Sequence, residues 1–249
     1  MPDIRVLPDL DAVSRAAADE LIELVPRTVA ARGAFHIALS GGSTPKRLFK
    51  ELVTRARTSL PWNKIHVYWG DERSVPPWHA DSNYGMAKSA LLDPVRIDYA
   101  KVRRMHGEAS DLDAAATVYE CDLAAVMTNG TPVFDYVMLG MGPDGHCASL
   151  FPNTRALDVT DRWVVANPVD SPVAKGKTTR LTFTARTINA GRNVRFLIAG
   201  ADKADALAHV LQGPRDPHRY PSQLVQPTSG SLVWFVDAAA AAQLQGGPS

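Results

Sequence analysis

The stretch FDYVMLGMGPDGH, residues 134–146, decides the fold that we expect for this chain. Its apolar run 136–139 ends at Gly140 and is too short for a helix, so it predicts a strand covered on both faces. Three glycines in the six residues from Gly140 then allow positive φ angles and a close approach to a ligand. A buried strand is therefore followed by an ionisable pair, Asp144 and His146.

Strand and helix candidates alternate along the rest of the chain. Apolar spacing predicts helices at residues 10–32, 82–92, 111–127 and 202–211, with another after residue 45, and strands at 35–39, 65–69, 136–139, 163–166, 179–184, 194–199 and 232–236. Pro26 is expected to kink or divide the first helix. This order predicts an α/β layered, Rossmann-like fold with a mainly parallel sheet flanked by helices. The sequence contains no repeat or long linker, so we expect a single domain over residues 1–249.

The composition argues against several classes of function. The chain has 249 residues, 45% of them hydrophobic, which is enough for a substantial core. Its 27 basic and 26 acidic residues leave a net charge of +1, so we expect neither nucleic acid nor a membrane surface as a partner. Two cysteines and no metal-ligand spacing predict no metal site. Without a signal peptide or membrane span in the sequence, we expect a cytoplasmic protein, monomeric or weakly oligomeric.

Three predicted strands end in loops of unusual chemistry: residues 40–45, 70–73 and 140–146. Ligands of open parallel sheets bind beyond the carboxyl ends of the strands, so we expect these loops to meet there. In the first loop, Thr44 is the expected N-cap of a helix and Pro45 its first residue. The free N–H groups of such a helix start favour an anion such as phosphate, although a plain capped helix start remains an alternative.

Cations occur near two of these loops. Arg73 follows the acidic residues of the turn 70–73, and the planar fork of arginine matches a phosphate. A basic loop, residues 171–180, carries Lys175 and Arg180 and is able to close over the same anion. A solvated cluster of charges and an exposed basic hairpin are the alternatives to these two interpretations.

Together, SGGSTP at residues 40–45, WGDER at 69–73 and GMGPDGHCASLFP at 140–152 resemble the 6-phosphogluconolactonase family, in order and spacing, along nearly the whole chain. The resemblance implies a sheet similar to that of the sugar-phosphate isomerases and deaminases. It also implies hydrolysis of 6-phosphoglucono-δ-lactone in the pentose phosphate pathway, with no metal or organic cofactor. The basic loop differs from the family, which has Lys-Pro-Pro where this chain has Lys175-Gly176-Lys177.

Roles for single residues follow from this resemblance and from the chemistry of lactone opening. His146 is the expected general base and then acid, since the pKa of an unperturbed imidazole lies near working pH. Asp144 is expected to orient His146 or to help place the water, and the turn's N–H groups are expected to stabilise the oxyanion. Arg73 is also placed with the catalytic groups. The residues expected to bind the substrate and its phosphate are Ser40, Gly41, Gly42, Ser43, Thr44, Asp71, Lys175 and Arg180. Cys147 is not the expected nucleophile, because a reactive thiol needs an electropositive site.

Two other functions stay open at the level of sequence. The first is a glucosamine-6-phosphate deaminase or isomerase, whose family pattern carries a glutamate where this chain has Phe151. The second is a sugar-phosphate sensor without turnover. A sensor needs the phosphate site but no base, so the presence of Asp144 and His146 favours the lactonase.

Overall fold

The computed structural model describes residues 2–95 and 97–245. Within them the strands are β1 Asp3–Leu7, β2 Phe35–Leu39, β3 Ile65–Trp69, β4 Asp71–Arg73, β5 Met127–Thr128, β6 Thr131–Pro132, β7 Tyr136–Leu139, β8 Val164–Ser171, β9 Gly176–Phe183, β10 Asn193–Ile198 and β11 Ser231–Asp237. The α-helices are α1 Leu10–Arg32, α2 Ser43–Ala56, α3 Asn83–Ala87, α4 Asp93–Val95, α5 Leu112–Asp122, α6 Ala185–Asn189 and α7 Ala204–Gln212. A π-helical turn, Lys88–Leu92, joins α3 to α4.

The larger sheet has the strand order β1-β11-β10-β7-β2-β3, and its neighbouring strands are parallel. This confirms the predicted α/β fold with a mainly parallel sheet. The chain runs from β2 outward to β3 on one side, and from β7 through β10 to β11 on the other. The strand order therefore reverses between β2 and β7, where open α/β sheets form a ligand crevice at their carboxyl edge.

Strand β7 is buried on both faces, as its sequence predicts. Val137 and Leu139 pack into one hydrophobic cluster, while Tyr136 and Met138 pack into the other. All four side chains are fully buried. Burial of an apolar side chain stabilises a fold by about 1.5–3 kcal/mol, so β7 is a strong anchor for the turn that follows it.

A second, antiparallel sheet has the order β4-β9-β8. Strand β4 follows β3 after Gly70, whose N–H donates to Leu39 O at 2.9 Å and whose carbonyl accepts from Phe183 N at 2.7 Å. Gly70 thus connects the small sheet to the carboxyl edge of the large one. The prediction of a turn at residues 70–73 was wrong, because pairing with β9 draws Asp71–Arg73 into a strand.

Other differences from the prediction lie at the ends of elements. The structure adds β1, a short edge strand paired with β11, and extends β8 and β9 into a long hairpin where the sequence predicted a basic loop. Helix α1 is continuous through Pro26 and ends at Gly33, with φ of +80°. Its buried face, which includes Leu21 and Val25 before the proline and Thr28 and Val29 after it, packs against the core on both sides of Pro26. None of the helices described has both the length and the apolar character needed to cross a bilayer.

Candidate active site

A cavity of about 260 Å³ opens at the carboxyl ends of β2 and β7, with β4 and β9 beside it. Its lining includes seven residues predicted from the sequence: Ser40, Gly41, Gly42, Asp71, Arg73, His146 and Arg180. Asp144 contacts His146 directly. Ser43, Thr44 and Lys175 do not line the cavity. The fold therefore brings the three predicted loops together at one place.

The imidazole of His146 is held from two sides. Its Nδ1 lies 2.5 Å from Asp144 Oδ1, and its ring stacks on Phe151 with centroids 4.0 Å apart. The turn that carries it is closed by hydrogen bonds from Gly142 N to the His146 carbonyl and from Gly145 N to the Gly142 carbonyl. Because Asp144 occupies Nδ1, Nε2 is the nitrogen available to a substrate or a water.

Asp144 carries a negative charge at neutral pH. Burial raises the pKa of its carboxyl, but the hydrogen bond and the charge of His146 lower that pKa by more, leaving it below the ordinary 3.8. A carboxylate in this position fixes the tautomer of the imidazole and stabilises its protonated form. Asp144 is therefore suited to orienting His146 and to supporting proton transfer at Nε2.

Replacing Asp144 by asparagine tests this charge. A carboxyl whose pKa is lower in the folded than in the unfolded chain stabilises the fold at pH values above its unfolded pKa, about 3.8. This stabilisation is lost as the pH falls through the pKa of the folded state. We therefore expect Asp144→Asn to be less stable than the natural chain at pH 7, with the difference closing below about pH 4. Urea unfolding across this pH range measures it, and a constant difference would contradict the assignment.

Gly142 lies directly against the His146–Asp144 pair. A Cβ at this position would stand 2.1 Å from His146 Nδ1 and 2.6 Å from Asp144 Oδ1. Any side chain here must displace one member of the pair. The glycine is therefore required by close approach.

We expect Gly142→Ala to lower kcat by roughly ten- to a hundredfold, since small displacements of a catalytic group have effects of this size. Steady-state kinetics, with circular dichroism to confirm folding, measures the effect. Gly70→Ala is the control, because Gly70 does not line the cavity and its Cβ would meet only Leu39 O at 3.8 Å and a Phe183 ring carbon at 4.0 Å, which are ordinary contact distances. Equal kinetics for the two variants would show that the imidazole position is not critical.

The loop after β2 presents backbone to the cavity. Helix α2 begins at Ser43 with Gly42 as its N-cap, at φ of +101° and without a side-chain cap. The predicted N-cap role of Thr44 was therefore wrong: Thr44 lies inside the first turn and is buried. The prediction of free N–H groups at the helix start does not depend on a side-chain cap, since the first N–H groups of a helix have no intrahelical acceptor. Gly41 packs so tightly that a Cβ would lie 1.8 Å from Asn83 Oδ1.

Arg73 and Arg180 face each other across β4 and β9. Arg73 Nη1 donates to the Asp81 carbonyl at 2.6 Å, and Arg180 Nη2 donates to the Ala174 carbonyl at 3.1 Å. In residues 2–95 and 97–245, neither guanidinium has a carboxylate within 4.0 Å. Burial, and next the charge of Arg73, lowers the pKa of Arg180. Two adjacent cations with no carboxylate within 4.0 Å in the described chain are suited to binding an anion.

The lysine predicted for the phosphate lies elsewhere. Lys175 Nζ pairs with Asp81 Oδ1 at 2.6 Å, and 74% of its side chain is exposed. Lys203, which the sequence did not single out, lines the cavity at the start of α7. It pairs with Asp202 at 2.8 Å and is 21% exposed. Lys203, and not Lys175, is therefore the lysine that lines the cavity.

A buried polar network underlies the cavity beside the arginines. Asp71 Oδ2 accepts from Ser149 Oγ at 2.7 Å, and Asp71 Oδ1 accepts from Asn83 Nδ2 at 3.2 Å. The neighbouring Glu72 accepts from the backbone N–H groups of Asn83 and Tyr84 at 2.8 and 2.9 Å. This cluster is therefore not a solvated charge patch. Asp71 lines the site, whereas Glu72 holds the start of α3 in place.

Cys147 is unsuited to nucleophilic catalysis. Its side chain is fully buried, and burial raises the pKa of the thiol to about 12. A thiol with such a pKa stays protonated at neutral pH. Metal ligation has no obvious place either: within the described ranges, no group of three or more His, Cys, Asp or Glu side chains is arranged to hold an ion.

Comparison with known proteins adds to this geometry. The sequence profile of the family described as glucosamine-6-phosphate isomerases/6-phosphogluconolactonase matches residues 8–234. The chain belongs to this family. The resemblance found in its sequence motifs is thereby confirmed for most of its length.

Three members of the glucosamine-6-phosphate isomerase/6-phosphogluconolactonase family illustrate the similarity. A 6-phosphogluconolactonase of Synechocystis is 45% identical over 224 residues, 89% of either chain. One of Nostoc is 42% identical over 245 residues, 97% of this chain and 98% of the relative. The solved structure of the Trypanosoma brucei 6-phosphogluconolactonase has a TM-score of 0.86 and 28% identity, covering 98% of this chain and 99% of that one.

Several cavity residues of this family member escaped the sequence reasoning. They are Asn83, Ser149, Phe151, Val173 and Lys203. Phe151 and Ser149 lie within the family motif at residues 140–152, so the sequence alone could have marked them as site residues. Val173 lies in the basic loop 171–180, whereas Asn83 and Lys203 are held in the cavity by the fold alone and nothing in their local sequence marks them.

Proposed function

We propose that this chain hydrolyses 6-phosphoglucono-δ-lactone to 6-phosphogluconate, a step of the pentose phosphate pathway. The observation that carries the proposal is the meeting of the His146–Asp144 pair with Arg73 and Arg180 in one cavity. A base and an anion site at such close quarters fit a phosphorylated substrate whose reacting bond is opened by water. The names of the related proteins support the same reaction.

The phosphate is bound by the backbone of residues 40–42, by Arg180 and by Lys203. The helix start after Gly42 contributes N–H groups and the positive end of its dipole. This binding energy holds the lactone in place for attack, which is its contribution to the rate. Lys175 makes no direct contact in this arrangement, because Asp81 holds it outside the cavity.

Chemistry begins at Nε2 of His146. This nitrogen takes a proton from water as the water oxygen bonds to the lactone carbonyl carbon. The tetrahedral intermediate then breaks the bond between that carbon and the ring oxygen, and Nε2 returns the proton to the ring oxygen. Asp144 stabilises the imidazolium between the two transfers.

Stabilisation of the oxyanion falls to Arg73. The N–H groups of Gly142 and Gly145 already donate within the turn, so they are not free for this task. Arg73 lies in the cavity and has no carboxylate within 4.0 Å in the described part of the chain. Its guanidinium donates hydrogen bonds and brings a positive charge to where negative charge develops.

Purified protein separates this proposal from its alternatives. Acid release from freshly prepared 6-phosphogluconolactone, above the spontaneous rate, supports the lactonase. Ammonia released from glucosamine 6-phosphate would indicate a deaminase, and binding of 6-phosphogluconate without either reaction would indicate a sensor. Phe151, which stacks on His146, stands where the deaminase pattern has a glutamate. No carboxylate is therefore available at this position to assist ring opening, which favours the first outcome.

A further inference from the structure

A row of three polar side chains crosses the small sheet. Arg73 on β4 lies opposite Arg180 on β9, which lies opposite Asn167 on β8. Residues directly opposite in antiparallel strands place their side chains on the same face, with Cβ atoms about 4.5–5.5 Å apart. Asn167 is thus the immediate neighbour of Arg180, on the side away from Arg73.

Asn167 is buried, with 1% of its surface exposed, and its amide has one orientation. The Nδ2 group donates to the Ser149 carbonyl at 2.9 Å and to Thr154 Oγ1 at 3.0 Å. A flipped amide would direct its oxygen at the Ser149 carbonyl, which is unable to donate. The Oδ1 atom is therefore fixed away from both partners.

Two buried atoms of this row have no hydrogen-bond partner in the described chain. One is the acceptor Asn167 Oδ1 and the other is the donor Arg180 Nε. Buried polar atoms are paired in the great majority of cases, so an unpaired donor beside an unpaired acceptor needs an explanation. Arg180 Nη2 meanwhile donates to the Ala174 carbonyl at the tip of the hairpin.

We infer that Asn167 is a positioning residue for Arg180, accepting the Nε–H of the guanidinium when Arg180 holds an anion. This pairing satisfies both buried atoms and leaves the Nη groups of Arg180, which lines the cavity, to hold the anion. The inference rests on the proposed function only in taking the anion to be the substrate phosphate. Asn167 itself does not touch the substrate, since it does not line the cavity.

Kinetics on two substrates tests the inference. We expect Asn167→Ala to raise the KM for 6-phosphogluconolactone about tenfold, the effect of losing one buried hydrogen bond to a charged group, with little change in kcat. Hydrolysis of unphosphorylated gluconolactone should not change. In an Arg180→Lys background, where no Nε–H of this geometry exists, Asn167→Ala should have no further effect. An equal loss on both substrates, or an undiminished effect in that background, would overturn the inference.

Nitrogen-15 NMR with inorganic phosphate provides a readout independent of catalysis. The Arg180 Nε–H signal is identified by its absence in Arg180→Lys. Phosphate should shift this signal and slow its exchange with solvent in the natural chain, but not in Asn167→Ala. A response that persists unchanged in Asn167→Ala would count against Asn167.

One further variant guards against simple misfolding. Asn189→Ala removes another asparagine that links backbone segments, through Leu224 O and Gln226 N, away from the cavity, and should leave the preference for phosphate unchanged. If the natural chain fails to hydrolyse the lactone while the NMR response depends on Asn167, the proposed function fails and the positioning role stands. If it hydrolyses the lactone while the NMR response does not depend on Asn167, the proposed function stands and the positioning role fails.

Discussion

Replacing His146 by alanine is expected to lower kcat for 6-phosphogluconolactone by about two to four orders of magnitude. The imidazole is the group that takes the proton from water, and Asp144 has no replacement partner once the ring is gone. Binding of 6-phosphogluconate should persist, because the phosphate contacts lie on other elements. Stopped-flow measurement of acid release, corrected for spontaneous hydrolysis, gives kcat, and calorimetry gives the affinity.

His106→Ala is the matched control for this experiment. His106 is exposed, lies outside the cavity and pairs with Glu108 at 3.4 Å. It should retain full activity. If His146→Ala turns over nearly as fast as this control, His146 is not the base and the proposed mechanism is wrong.

The second large effect is expected at Arg180. Arg180→Ala should lower kcat/KM for 6-phosphogluconolactone by about two orders of magnitude, because it removes a partly buried cation that has no carboxylate within 4.0 Å among the described residues, and with it a contact to the phosphate. Most of the loss should appear in KM. Hydrolysis of plain gluconolactone should change little, so the preference for the phosphorylated lactone would collapse.

Lys175→Ala provides the comparison. Its ammonium is exposed and paired with Asp81, so we expect a change of less than about threefold, as for most surface ion pairs. A loss in Lys175→Ala as large as that in Arg180→Ala would restore the phosphate contact predicted from the sequence. Equal effects of Arg180→Ala on both lactones would remove Arg180 from the phosphate site.

The parts of the fold that sequence reasoning predicted are those with a strong local signal. The runs of β2, β3 and β7 were predicted at their observed ends, since a strand covered on both faces is built mostly from apolar side chains. The same logic located the loops that follow them. Their convergence could be expected because parallel strands end at one edge of the sheet.

What escaped prediction depends on distant parts of the chain. Strand β4 is a run of three charged residues that forms a strand only because β9 pairs with it. Lys175 and Lys203 each pair with a carboxylate, and only their places in the fold separate the exposed lysine outside the cavity from the one that lines it. The choice between them follows from packing that no local pattern records.

The attachment of β4 to β3 through Gly70 bears on how this scaffold can be re-engineered. The Gly70 peptide is hydrogen-bonded to Leu39 and to Phe183, so it joins both sheets at one point. The antiparallel sheet, with its two arginines, therefore cannot be replaced independently of the parallel sheet. A grafted antiparallel sheet intended to change the anion specificity must include a matching junction with the parallel sheet. Without that junction, the grafted guanidinium groups will be misaligned with the imidazole.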